Sequence, residues 1–177
     1  MSQIFSYRGM TPRIAGDVFL AEGARVIGDV TLAEGANVWF NTVVRGDIQR
    51  VEVGKFTNLQ DNVTVHVMSS EPTIIGDYVT VGHGAVIHCS RVGNNTLIGM
   101  GAVLLGHAVI GGNCIVGAGS VVMQRKKYPD NVLIYGNPAR VIRDLREDEI
   151  KALHQSAVDY YDIALKYLKE NDVKGVQ

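Results

Sequence analysis

Three of the chain's five histidines, His66, His83 and His88, stand close together in sequence, with His107 and His154 further on. Three imidazoles with an open fourth position form the arrangement in which zinc makes hydroxide from water near neutral pH. Arg45, Asp47, Gln60 and Asp61 supply the charged and amide groups that could support such a centre. Cys89 and Cys114 match no zinc-knuckle or redox spacing and read as ordinary packed thiols. Whether the histidines can meet depends on the scaffold that carries them.

The scaffold is periodic. An aliphatic residue recurs every sixth position through Ile14, Leu20, Val26, Leu32, Val38 and Val44. The count slips before Val53, Leu59 and Val65, and slips again before Ile75, Val81 and Ile87. One residue is dropped before Val92, and the ladder then runs through Ile98, Leu104, Ile110, Val116 and Val122. A period of six fits neither the helical 3.6 nor the strand period of 2. It fits a parallel β-helix in which each hexapeptide is one short strand plus a corner, with about 18 residues per coil. Coils stack at the strand spacing of about 4.8 Å.

Hexapeptides three apart in the ladder lie on one side of this prism. Arg45, His66 and His88 each follow the aliphatic residue of stacked hexapeptides and point outward by strand alternation. His66 and His88 are therefore placed about one coil apart, close enough to share a metal. His83 belongs to another side, above Gln60 and Asp61, and does not reach that pair within one chain. A threefold assembly solves this by setting His83 of one subunit against His66 and His88 of the next. His107 stacks above the site with no partner that the spacing identifies, and reads as an exposed turn residue. His154 reads as a solvated helix position.

These residues carry a resemblance. The segments VVRGD (Val43 to Asp47), NLQDN (Asn58 to Asn62), His66 after VTV, and GHGAVIH (Gly82 to His88) resemble the γ-class carbonic anhydrases, over nearly the whole chain. The resemblance implies a left-handed β-helix, a homotrimer, and a metal held by His66, His83 and His88 at the subunit interface. It implies that Arg45, Asp47 and Asp61 form interface ion pairs and that Gln60 is the catalytic residue that hydrogen-bonds the metal's solvent. The implied cofactor is Zn2+, with Fe2+ or Co2+ as alternatives for the same cage. The implied reaction is reversible hydration of CO2 to bicarbonate. Two departures point to a compact branch with weak turnover: Ile48 replaces a glutamate that follows the structural aspartate. In addition, the loop VMSSEPT after His66 holds only Glu71 as an ionisable residue where the archetype has an acidic loop.

Other readings stay open. The segment YGNPARVIR (Tyr135 to Arg143) resembles the end of hexapeptide acyltransferases, whose chemistry needs one histidine as general base; an acyl-thioester hydrolase belongs with this reading. A non-catalytic scaffold subunit with a residual metal site is the third reading.

Composition bounds the rest. Formal charge is −1 over 177 residues, which gives no electrostatic case for nucleic acid or an anionic membrane. No apolar run is long enough to span a bilayer. The start MSQIFSYRGM carries no apolar stretch behind a cationic end, so a cytoplasmic protein is expected. The expected fold is mainly β in a single domain, 1–177, with the prism over about 14–127. Beyond Val122 the segment from Pro129 is expected to lead off the prism. A C-terminal helix over about 145–170 follows from the stripe Ile150, Leu153, Ala157, Tyr160, Ala164 and Leu168, with Asp144 and Glu147 as candidate caps.

Overall fold

The computed structural model describes residues 3–88 and 90–170. Its strands form a three-sided parallel β-helix, and every register implied by the aliphatic ladder is present. On the first face Val26, Val44, Val65, Ile87, Leu104 and Val122 pair in succession. On the second face the succession is Ile14, Leu32, Val53, Ile75, Val92 and Ile110. On the third it is Leu20, Val38, Leu59, Val81, Ile98 and Val116. The first-face column is 0% exposed throughout, so the ladder is the core. Each such aliphatic contributes roughly 1.5–3 kcal/mol by leaving water.

The prism extends beyond the expected limits. Ile4–Phe5 pairs with Val26 and Ile27 at the lower end. At the upper end Tyr128 pairs with Ile110, and Leu133 and Ile134 pair with Ile115 and Val116. The ladder therefore continues past Pro129, with a tyrosine in an aliphatic position: Tyr128 is 9% exposed, and its hydroxyl donates to Ala139 O at 2.9 Å. The segment expected to lead off the prism first completes a coil, then turns back as Ala139–Asp144, antiparallel to Val132–Gly136.

The corners explain both the glycines and the slips. One edge turns on residues in the left-handed region, with Gly35, Phe56, Tyr78, Asn95, Asn113 and Asn131 stacked coil on coil. Asparagine tolerates that conformation, and here its amides also form a ladder: Asn95 Nδ2 donates to Asn113 Oδ1 at 2.8 Å, and Asn113 Nδ2 to Asn131 Oδ1 at 3.0 Å. All three irregularities of the ladder, Val44 to Val53, Val65 to Ile75 and Ile87 to Val92, fall at a single edge, between the first and second faces. Arg25–Leu32 and Val43–Val53 round this edge as continuous strands. Gly46 must be glycine there, because a Cβ would stand 2.4 Å from Asp29 O in the coil below.

The helix Glu147–Glu170 lies along the third face. Leu153, Ala157 and Ala164 are buried against it. Trp39 is the centre of the contact, with Phe19, Tyr160 and Tyr167 rings at 5.1, 5.6 and 5.4 Å. His154 is not merely solvated, since its ring lies 4.3 Å from that of Tyr78. No helix among the described residues is long and apolar enough to cross a membrane.

The helix start differs from the expected cap. Asp144 ends the preceding strand, and the backbone N–H of Arg146 donates instead to Glu149 Oε2 at 2.9 Å. Arg143 donates two hydrogen bonds of 2.8 Å to the same carboxylate. Those hydrogen bonds, from Arg143 first and the Arg146 N–H second, lower Glu149 from the ordinary 4.5 to about 2. A depressed carboxylate stabilises the fold above its unfolded pKa, and the contribution disappears as pH falls through the folded value. The urea midpoint should therefore decline between pH 4.5 and about 2, and Glu149→Gln should show a shallower decline over the same window. Equal slopes would remove Glu149 from the acid response.

Candidate metal centre

His66 and His88 end two adjacent first-face strands, Thr64–His66 and Val86–His88, and pair directly in register. Their ring centroids lie 5.3 Å apart. Strand alternation turns both outward because Val65 and Ile87 fill the interior. Arg45 continues the column one coil below, since Val44 pairs with Val65. Arg45 Nη1 donates to Asp47 Oδ2, and His66 Nε2 donates to Asp47 Oδ1 at 2.9 Å. One carboxylate thus joins the guanidinium and the imidazole.

The electrostatics suit ligand chemistry. Burial, then the neighbouring His66 and Arg45, pushes His88 below the usual imidazole value, which favours the neutral ring that a cation requires. Burial opposes ionisation of Asp47, but the hydrogen bonds from His66 and Arg45 outweigh it and hold the carboxyl below its usual range.

His83 stands apart. It follows Val81 on the third face, and its Nδ1 lies 3.0 Å from Asp61 Oδ2, one coil below. Gln60, 5% exposed, donates through Nε2 to Asn58 Oδ1 at 3.3 Å. Among the described residues, no group of three or more His, Cys, Asp and Glu in this chain could hold a metal. The chain brings His66, His88, Arg45 and Asp47 together on one side, and His83, Asp61 and Gln60 on another. The donor set fits a nitrogen-ligated divalent ion in two halves, a pair of imidazoles a coil apart and a lone imidazole beyond the reach of that pair.

Sequence reasoning missed the surroundings of His107. Its Nε2 lies 3.3 Å from Ser70 Oγ and its Nδ1 3.6 Å from Glu71 Oε1. The loop after His66 folds upward along the edge of the first face, with Met68 Sδ against Gly106. The signal was the slip between Val65 and Ile75, because residues added at a corner must lie against a neighbouring coil. Of the two cysteines, Cys114 is fully buried, and burial pushes its thiol up; Cys89 lies outside the described residues.

A parallel β-helix built of six-residue units, with two imidazoles paired on one side and a third on another, defines the class: a hexapeptide-repeat protein. The family description "Bacterial transferase hexapeptide (six repeats)" matches residues 90–124. The carbonic anhydrase of Geobacillus kaustophilus is 43% identical over 90% of this chain and 87% of its own. Gamma carbonic anhydrase 2, mitochondrial, of Arabidopsis thaliana is 42% identical over 91% of this chain; the match spans 60% of that relative's length. The crystal structure of a hexapeptide transferase family protein from Anaplasma phagocytophilum superposes with a TM-score of 0.90. It is 38% identical over 93% of this chain and 98% of that one. The chain belongs to the γ-class carbonic anhydrase family, whose prism is left-handed. Its function is γ-carbonic-anhydrase-like, and the family implies a metal cofactor. The acyltransferase and scaffold readings are not favoured.

Proposed function

We propose that this chain is the subunit of a homotrimeric carbonic anhydrase. Each active site comprises His66 and His88 of one subunit and His83 of the next, with Zn2+ the default ion and Fe2+ or Co2+ the alternatives. The observation that carries this reading is the register pairing of His66 with His88 while His83 faces away. A second observation supports the assembly. Above His88 the first-face column ends at Met123, and above His83 the other column continues with Met100; these side chains are 41% and 60% exposed. Both columns that carry the histidines thus present an exposed methionine above them, apolar surface suited to burial in an assembly.

The reaction is CO2 + H2O ⇌ HCO3− + H+. The ion, when bound, supplies Lewis-acid activation that brings a water toward a pKa of about 7. The chain does the rest. His88, held neutral by burial, offers a ring nitrogen without first losing a proton. Asp47 fixes Arg45 beside the imidazole pair. Gln60, whose amide is held by Asn58, is the residue proposed to orient the attacking water. Exposed Ile48 beside Asp47 offers no carboxylate to take the released proton, so buffer or a water chain carries it and turnover is slow and rises with buffer concentration.

Metal content of anaerobically purified protein, measured with CO2 hydration on the same sample, tests this. The expected result is about one metal per chain with buffer-dependent hydration. Metal without hydration would overturn the enzymatic reading, and failure to take up metal even after zinc reconstitution would overturn the centre.

A further inference from the structure

We infer that Asp61 is the positioning residue of His83, fixing which ring nitrogen that histidine presents to the neighbouring subunit; this rests on the shared metal centre proposed above. Asp61 divides its two oxygens. Oδ1 accepts the backbone N–H of Phe40 at 3.1 Å, and Oδ2 faces His83 Nδ1 at 3.0 Å. Arg45 does not compete for this carboxylate within the chain, because it is bound to Asp47. The carboxylate is anchored from behind. Phe40 follows Trp39, whose ring is packed under the helix, and the Phe40 ring lies 6.0 Å from Tyr167 of that helix. Tyr160 of the same helix packs against Trp39, with ring centroids 5.6 Å apart.

An ionised carboxylate only accepts, so a proton at Nδ1 is held there and the Nε2 lone pair is left facing outward. Such second-sphere acceptors set the tautomer and direction of ligating histidines. Asp47 treats His66 in the opposite sense, taking its Nε2. The two aspartates thus select different ring nitrogens, and His83 is the imidazole whose Nε2 is presented before any ion arrives.

Asp61→Asn keeps the side-chain shape and removes this selection. If its oxygen accepts from Phe40 N–H, its NH2 faces His83 Nδ1 and requires a bare nitrogen there, which moves the proton to Nε2. The test is 15N NMR of His83 in the metal-free protein, zinc affinity by chelator competition, and sedimentation of the same samples. The expected result is Nδ1–H in the natural chain, Nε2–H in Asp61→Asn, and zinc binding weaker by about 10–100-fold with assembly retained. Nε2–H in the natural chain, which needs no variant to observe, would overturn the inference. So would equal zinc affinity in the two proteins, or subunit dissociation with an unchanged tautomer, which would make Asp61 an interface residue only. No zinc uptake by the natural chain would overturn the metal centre and this inference together.

Discussion

Neither His66→Ala nor His83→Ala alone should hold metal, yet trimers mixed from the two variants should regain it. Each variant removes a different half of the centre. A His83→Ala subunit still offers His88 and His66, which pair in register on its first face. A His66→Ala subunit still offers His83 on another side. Around a threefold ring of mixed composition, only one junction brings an intact pair against an intact His83. A single metal per mixed trimer and one third of full hydration are therefore expected, after denaturation and joint refolding. Metal analysis of tagged, purified mixed trimers makes the measurement. If either variant binds tightly by itself, the centre is not divided between subunits; if the mixed trimers stay empty, the assignment of halves is wrong.

Trp39→Ala should be among the most destabilising single changes in the chain, lowering unfolding free energy by about 3–5 kcal/mol. Trp39 is 6% exposed and sits among Phe19, Tyr160 and Tyr167, which come from both the prism and the helix. Its indole N–H also donates to Asn37 Oδ1 at 2.8 Å, and Asn37 is 1% exposed, so removal strands a buried acceptor. Urea unfolding measures the loss, and limited proteolysis should show cleavage within the helix before the prism yields. A change of less than about 1 kcal/mol would mean that the helix docks by other contacts.

The prism was legible in sequence because an inward side chain has one environment on every coil. A six-residue recurrence of aliphatics from Ile14 to Val122 therefore specifies pairing without further information, and it placed His66 beside His88. The reading stopped short where the interior accepts something else. Tyr128 fills an aliphatic position but sends its hydroxyl to Ala139, so the ladder looked finished two hexapeptides early. Contacts made by outward side chains were less legible. That Asp47 reaches His66, that Glu149 rather than Asp144 serves the helix start, and that His107 meets Ser70 and Glu71 all depend on how a chain rounds a corner. Corner geometry follows from residues added or lost, and periodicity records only that the count has changed.

The reversal at the top of the prism bears on self-association. A stack of parallel rungs exposes unpaired backbone at its end, a template on which the rung of another molecule could grow into a fibre. Here the third-face sheet ends in Ala139–Asp144, which runs against the direction of every strand below it and is exposed from Arg140 to Asp144, with Val141 and Ile142 between the charges. On that face an incoming parallel rung meets a strand of the opposite direction, with Arg140, Arg143 and Asp144 along it. The hairpin thus opposes addition of a further parallel rung on the third face.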